Sequence, residues 1–386
     1  MLLTLGAILL IGLATDALGR LTPLPRVTLL LVFGFLIGNG GLDVLPEPVY
    51  QWFDVVAVMA LVMVGFLLGG QFSAAQFRRT GRQVVTISVV VVVVTAMVVL
   101  LALWLTEVPL VVALILAGVA PATAPAATVD VVHEANAKGP FSQTLLGIVA
   151  LDDAWGLMLF SLLLAVAATV TDGISPAMAL SSGAWEILGA VVLGLVLGLP
   201  VAQLSGRLQP GEPLMTEALG AVFVCGGLAI WLNVSFIIAA MVMGTVVVNL
   251  ARHHERPFHE IENVEWPFMI LFFVLAGASL QLEALTDLGL VGTVYVAARV
   301  AGRVVGGWMG GQLSHATPSI RRWMGLALMP QAGVALGMAL IAVGRFPDYR
   351  TTILPLVIAS TVFFELTGPM LTRLALQRSD EVRLPD

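Results

Sequence analysis

Five ionisable side chains lie within long apolar runs of the sequence. They are the adjacent acids Asp152 and Asp153, and Arg299, Arg303 and Glu365. Such a charge costs roughly 2.5–3.5 kcal/mol at mid-membrane on insertion scales and usually serves a function. A carboxylate in these surroundings must hold a proton or a cation, because a bare charge there is costly. The residues therefore predict a functional site within the membrane.

The two adjacent acids cannot act as one clamp. Neighbouring side chains on a helix point about 100° apart, since one turn takes 3.6 residues. We expect Asp153 to face a water-filled cavity and Asp152 to face an arginine, although this geometry alone also permits the reverse. Two adjacent acids in mid-span exceed what helix packing requires, which favours ion binding over a purely structural role.

Arg299 and Arg303 are one turn apart and therefore lie on one face of their helix. Arginine stays protonated in proteins, so both need anionic partners at this depth. For Arg299 and Glu365 the sequence favours a supporting charge network that holds helices together.

Two apolar runs are interrupted by proline. One contains Pro121 and Pro125, and the other contains Pro330 followed by Gly333. Proline removes a backbone donor and clashes with the preceding turn, so each run predicts a broken helix. Paired interruptions in two halves of a chain indicate a transport site. The alternative is a pair of ordinary proline kinks, which membrane helices tolerate.

The composition requires a membrane protein. Hydrophobic residues make up 59% of the 386 residues and charged residues 11%, whereas soluble domains carry roughly 25% charged residues. The mean hydropathy is +1.01. Cys225 is the single cysteine, which excludes internal disulfides and multi-cysteine metal sites. We expect no cofactor, no enzymatic activity and no nucleic-acid partner.

The apolar runs predict an all-α integral membrane protein with thirteen transmembrane helices. The spans lie near residues 2–18, 26–40, 49–71, 83–105, 108–132, 141–169, 184–205, 214–231, 234–250, 264–281, 288–312, 321–343 and 351–376. With the N-terminus outside, the inside segments hold fourteen of the 18 Lys and Arg, and the outside loops hold only Arg345 and Arg350. This positive-inside bias places the C-terminus in the cytoplasm. Thirteen divides into two inverted repeats of six helices around a linker helix at 184–205.

These features resemble the monovalent cation:proton antiporters, especially bacterial sodium/proton antiporters of the NapA type and their relatives. The resemblance covers nearly the whole chain. Besides the aspartate pair it rests on four segments, Ala122–Ala126, Ala298–Arg303, Pro330–Ala335 and Phe364–Pro369.

The resemblance implies a two-bundle fold and a homodimer in the inner membrane that works by elevator-like alternating access. Residues 1–75 and 213–285 would form a dimerisation bundle. Residues 76–170 and 286–378 would form a mobile core in which the two broken helices cross, and 379–386 a cytoplasmic tail.

For the site, the resemblance implies that Asp153 binds the cation and the proton in turn. Asp152 would pair with Arg303, and Thr123 with nearby freed carbonyls would complete the cation shell. Some relatives have lysine in place of Arg303; lysine can release its proton and enter the ion count, whereas arginine cannot. The aspartate pair suggests electrogenic exchange and Arg303 argues against it, so stoichiometry stays open, with electroneutral exchange preferred.

The sequence leaves the cation and some alternatives open. Hard oxygen ligands suit Na⁺ or Li⁺, and a looser cavity would suit K⁺. A sodium-coupled organic-anion symporter of similar fold would need a large mid-membrane cavity, and a channel would not need a titrating pair. An intramembrane aspartyl protease needs its two aspartates on separate helices, which Asp152 and Asp153 do not provide.

Overall fold

The computed structural model describes residues 2–21, 26–38, 41–46, 49, 52–70, 72–171, 176–204, 214–251, 255–278, 289–331, 333–379 and 381. In this part of the chain the structure is helical throughout, with connecting turns and no strand. The predicted loops with Arg207 and Arg252, and most of the predicted tail, lie outside the described residues.

The helices follow the predicted apolar runs. They are α1 (Leu2–Leu21), α2 (Arg26–Ile37), α3 (Trp52–Gly70), α4 (Ala74–Trp104), α5 (Leu110–Val119), α6 (Pro125–Glu134), α7 (Pro140–Thr171), α8 (Pro176–Leu204), α9 (Leu214–Trp231), α10 (Phe236–Leu250), α11 (Glu255–Ala278), α12 (Gly289–Leu313), α13 (Pro318–Ala327), α14 (Gly333–Arg345) and α15 (Arg350–Arg378), with a 3₁₀ turn at Pro347–Tyr349.

Each predicted span overlaps a helix or a pair of half-helices. Among the described residues, six helices are long and apolar enough to cross a membrane, and further apolar helices have 10–17 residues. A helix needs about 20 apolar residues to cross the hydrocarbon core. The count of thirteen crossings therefore stays a prediction.

The first compact unit contains residues 1–78 and 173–280. Within it α10 packs against α3 and α8, and α11 packs against α2 and α3. Gly69 and Gly244 lie where α3 and α10 meet, and a Cβ on either would collide with the main chain of the facing helix. Small residues let membrane helices approach this closely.

The second compact unit contains residues 79–172 and 281–386. Here α5 and α6 pack on α7, α13 and α14 pack on α15, and α12 packs on α13. Gly302, Gly306 and Gly310 recur at every turn of α12, and a Cβ on each would come within 2.7–2.9 Å of a Cα atom on α4. This close packing brings Arg303, the next residue after Gly302, beside α4.

The unit boundaries at residues 78, 172 and 280 fall near the predicted bundle boundaries of 75, 170 and 285, and the predicted linker helix falls in the first unit. Helix α4 breaks close to the first boundary. Gly81 has φ of +71° there, in a region that favours glycine because it lacks a Cβ. Which unit dimerises and which one moves stays a prediction.

Large apolar side chains point outward on helices of both units. Leu10, Leu188, Trp231 and Met370 are each at least 63% exposed. Contiguous exposed apolar surface is unusual for a soluble monomer and marks surfaces that meet another apolar phase. The outer faces of both units therefore suit a lipid bilayer.

Candidate functional site

The first broken helix is formed by α5 and α6. Helix α5 ends at Val119, the chain passes through Ala120–Ala124 without helical structure, and Pro125 starts α6. Proline suits the first position of a helix, since its missing N–H would have no partner there. Pro121 lies inside the break, so carbonyl groups are released from helical hydrogen bonding at this point.

Asp153 on α7 faces this break. Both the N–H and the hydroxyl group of Thr123 donate to Asp153 Oδ1, each at 3.2 Å. Asp153 is 2% exposed and Thr123 is 1% exposed. The structure thus brings together the two residues for which the resemblance implied a cation site.

Asp152, one residue earlier, faces another direction. Arg303 Nη1 donates to Asp152 Oδ2 at 2.7 Å, and the Ser88 hydroxyl donates to Asp152 Oδ1 at 3.0 Å. Both members of the ion pair are fully buried. The 100° offset between adjacent residues thus gives the two acids separate partners.

The freed carbonyls of the first break contact arginine side chains. Arg303 Nη2 donates to the carbonyl oxygens of Pro121 and Ala122. Arg299 donates through Nε to Ala120 O and through Nη2 to Ala122 O, both at 2.9 Å. Two guanidinium groups thus reach the C-terminal end of α5, where the helix dipole favours positive charge. The expectation that freed carbonyls complete the cation shell stays a prediction, because a carbonyl oxygen has two lone pairs and can take a further ligand.

Arg299 also contacts the second break. Its Nη1 donates to Met329 O at 3.0 Å, and the guanidinium carbon lies 4.0 Å from the ring centroid of Phe364. The expectation was an anionic partner for this arginine. Its hydrogen bonds instead go to three carbonyl oxygens in the two breaks, with a cation–π contact to the ring.

The second broken helix is formed by α13 and α14, between Ala327 and Gly333. Gln331 is fully buried; its Nε2 donates to Thr361 Oγ1 on α15 at 3.4 Å, and its Oε1 has no partner among the described residues. Gly368 lies against Pro330, since a Cβ on it would be 2.5 Å from Pro330 Cα. Ala332, part of the motif, lies outside the described residues.

Glu365 lies on α15 and is 5% exposed. It follows Thr361 by four residues and precedes Gly368 by three, so all three share one face. That face packs along the second break. The role of Glu365 in a supporting charge network stays a prediction.

Ser88 and Thr361 gave no clear signal in the sequence, and Gln331 belonged to a motif that gave it no role of its own. Ser88, Gln331 and Thr361 are buried polar residues that complete the contacts of Asp152 and of the second break. Ser88 lies in a run rich in valine that also contains Thr86 and Thr95, so nothing in the sequence set it apart.

Comparison with known proteins gives a consistent result. A family model described as sodium/hydrogen exchanger, transmembrane, matches residues 6–377. The ammonium/H⁺ antiporter subunit AmhT of Alkalihalophilus pseudofirmus is 23% identical over 365 residues, covering 91% of this chain and 88% of the relative.

Two solved structures of the sodium/proton antiporter MjNhaP1 from Methanocaldococcus jannaschii have a similar fold. One, at pH 8, has a TM-score of 0.75 and 19% identity over 97% of this chain and 95% of that one. The other, an electron-microscopy structure, has a TM-score of 0.75 and 17% identity over 99% and 98%. The all-helical fold of this chain is therefore similar to an antiporter fold along nearly its whole length.

Proposed function

The chain belongs to the sodium/hydrogen exchanger family, and on that premise we propose that it exchanges a monovalent cation for protons as a secondary active transporter. One observation carries the proposal: Asp153 is buried at a helix break and bonded to Thr123, while the adjacent Asp152 is already neutralised by Arg303. Asp153 is therefore the acid of the pair that can exchange ions.

The mechanism is competition for one carboxylate. Either a proton or a cation neutralises the carboxylate of Asp153. The two cannot bind at the same time, because the carboxylate carries only one negative charge. Crossing a low-dielectric region is cheap only for the neutralised form. Alternating access in an elevator-like movement would present this carboxylate to the two sides in turn. The gradients of the cation and of the proton then determine which ion binds to Asp153 on one side of the membrane and which ion is released on the other.

The buried charges favour one proton for one cation. Asp152 is paired with Arg303, and arginine does not release its proton. Of the two aspartates, only Asp153 can therefore exchange a bound proton for a cation. Electroneutral exchange follows, and it predicts that the transport rate does not depend on a membrane potential imposed with valinomycin and K⁺.

The cation is proposed to be Na⁺ or Li⁺, with K⁺ as the alternative. The name of the relative AmhT, an ammonium/H⁺ antiporter subunit, favours ammonium as a second candidate. A sodium-coupled organic-anion symporter is the competing class of function.

The proposal extends to the arrangement in the membrane. The chain would cross the membrane thirteen times, as two inverted six-helix repeats joined by a linker helix. Its N-terminus would lie outside and its C-terminus in the cytoplasm, and it would form a homodimer in the inner cell membrane. The charge bias of the predicted loops supports the orientation. The likeness to the MjNhaP1 fold supports the architecture.

The test is cation-induced dequenching of a pH dye in proteoliposomes, with Na⁺, Li⁺, K⁺ and ammonium between pH 6 and 9. Wild type is compared with Asp153→Asn and with Asp348→Asn, a matched change at an exposed position. Ammonia crosses lipid by itself, so for ammonium the difference between wild type and Asp153→Asn is the readout. Flux in wild type and Asp348→Asn but not in Asp153→Asn supports the proposal and identifies the cation.

Silence of wild type for all four cations would overturn the proposal. The symporter would then be tested with organic anions in the same vesicles.

A further inference from the structure

A groove of about 600 Å³ runs between α12 and α13 on the surface of the second unit. Three residues of α12 and three of α13 line it: Val304, Val305, Trp308, Pro318, Arg321 and Arg322. Its volume lies in the range of about 300–1,000 Å³ that small-molecule sites occupy. None of the six residues belongs to the candidate ion site.

The groove changes from charged to apolar along the two helices. At the C-terminal end of α12, Gly311 packs against Arg321 of α13. Farther in, Gly325 of α13 packs against Val304 of α12, so the helices are antiparallel. Val304 lies seven residues inward of Gly311, which is roughly 10 Å along the axis, and Trp308 lies between them. Tryptophan is enriched where a membrane meets water, so the arginines lie at head-group level and the valines lie deeper.

The mouth of the groove carries positive charge that no acid balances. Arg321 donates through Nη1 to Gln312 Oε1, a neutral acceptor, at 2.5 Å. Neither Arg321 nor Arg322 forms an ion pair with a carboxylate of the described residues. The sequence from 288 to 347 contains no Asp or Glu. The N-terminal end of α13 adds partial positive charge, since its first turn has no acidic residue and the Thr317 side chain does not cap it.

The inner part of the groove offers apolar surface. Val304, Val305 and Trp308 are 40%, 42% and 54% exposed, and α12 is one of the helices long and apolar enough to cross a membrane. A small soluble anion would contact the arginines alone, whereas an amphiphile would cover both parts. The groove therefore suits a molecule that joins a negative head group to an apolar chain.

We propose that this groove binds an anionic phospholipid, with the phosphate group at Arg321 and Arg322 and one acyl chain along Val305 and Trp308. Guanidinium groups bind phosphate oxygens in a planar, bidentate geometry, and basic pockets between membrane helices bind anionic head groups. A zwitterionic lipid is disfavoured, because no carboxylate lines the groove to meet its cationic group. The predicted topology places the groove on the cytoplasmic side, where the leaflet supplies anionic lipid.

Two substitutions test the two parts of the groove separately. Arg321→Gln/Arg322→Gln removes both charges and leaves the apolar wall in place. Val305→Trp keeps every charge and fills the space for the acyl chain; residue 305 is exposed, so the larger side chain leaves the core intact. The matched control is Arg373→Gln/Arg378→Gln, which removes two charges from exposed positions of α15 on the same predicted side.

The measurement is equilibrium binding of a phosphatidylglycerol with a fluorescent acyl chain to the delipidated chain in neutral detergent. Phosphatidylcholine with the same acyl chain is the comparison lipid. We expect wild type to bind phosphatidylglycerol about tenfold more tightly, and Arg321→Gln/Arg322→Gln to weaken that binding about thirtyfold. Val305→Trp should weaken it about fivefold. The control on α15 should stay within about twofold of wild type.

Equal losses of affinity in the two double variants would overturn the proposal, since a general basic surface would then attract the lipid. Equal affinity of wild type for the two lipids would also overturn it. Inorganic phosphate, added at constant ionic strength, distinguishes a lipid from a free anion. Displacement of the lipid by phosphate, together with wild-type affinity in Val305→Trp, would assign the groove to free phosphate instead.

A single substitution keeps the test open if Arg321→Gln/Arg322→Gln does not fold. Arg322→Gln then takes its place, because Arg322 is exposed, and it should weaken phosphatidylglycerol binding about fivefold. Unchanged binding in Arg322→Gln would overturn the assignment of the phosphate group. None of these measurements requires ion flux, so their outcome is independent of the proposed function.

Discussion

The two broken helices of the second unit have the same hydrogen-bond arrangement, but the acceptor is a charged side chain in the first and a neutral one in the second. In each, a polar side chain of the break donates to a residue thirty positions later, on the helix that follows: Thr123 to Asp153, and Gln331 to Thr361. Arg299 links them, because its guanidinium bonds to Ala120 and Ala122 in the first break and to Met329 in the second.

The residue at the corresponding position decides what each break can do. Asp153 is a carboxylate that can hold a proton or a cation, whereas Thr361 is a neutral hydroxyl. The carboxylate of the second half, Glu365, lies one turn beyond Thr361. Each broken helix therefore supplies a scaffold, and under the proposed function the half that carries Asp153 binds the transported ion.

The strongest test of this comparison makes the first break resemble the second. We expect Asp153→Thr to fold, since a hydroxyl can still accept from Thr123, and to lower cation-dependent proton flux by on the order of a hundredfold, since no titratable group then faces the break. Initial dequenching rates in proteoliposomes measure this effect. Flux close to wild type in Asp153→Thr would show that another acid carries the ion.

The next largest effect concerns the charge beside the first break. Arg303→Met leaves Asp152 buried without its counter-charge, which destabilises a protein by about 3–5 kcal/mol. Thermal unfolding in detergent measures the loss. The double variant Asp152→Asn/Arg303→Met should recover most of it, because no lone charge remains and Ser88 can still bond to residue 152. Equal stability of the single and double variants would contradict an electrostatic role for the pair.

The link between the breaks gives a smaller effect. Arg299→Lys keeps the positive charge but loses the planar fork that reaches three carbonyl oxygens. Each buried carbonyl left without a donor costs about 1–3 kcal/mol, so we expect about 2 kcal/mol lower stability and slower transport. Full stability of Arg299→Lys would show that charge alone, without the fork, joins the two breaks.

The sequence predicted those parts of the molecule that local chemistry determines. Proline at 121, 125 and 330 broke the helices where expected, and the adjacent acids separated as a 100° turn requires. Charge in an apolar run is visible without a structure. The helical fold and the membrane class followed from the same apolar runs.

The parts that the sequence did not predict depend on side-chain reach and on distant contacts. Arginine length brings the guanidinium groups to the freed carbonyls, for which the resemblance implied only a cation. Gln331 and Thr361 are single polar residues with no periodic pattern. Glu381 meets Phe141 across 240 positions of chain, a separation at which spacing carries no information.

The finest test applies the same substitution to both breaks. Thr123→Val removes the hydroxyl oxygen that the proposed site uses as a cation ligand, so the apparent KM for the cation should rise about tenfold or more. Thr361→Val removes an acceptor of one long bond from Gln331 at 3.4 Å, so stability should fall by about 1 kcal/mol with KM unchanged. Cation titrations of initial rates measure both. Equal KM shifts at Thr123 and Thr361 would mean that the transported ion contacts both halves, and the charge difference between the breaks would no longer locate the site.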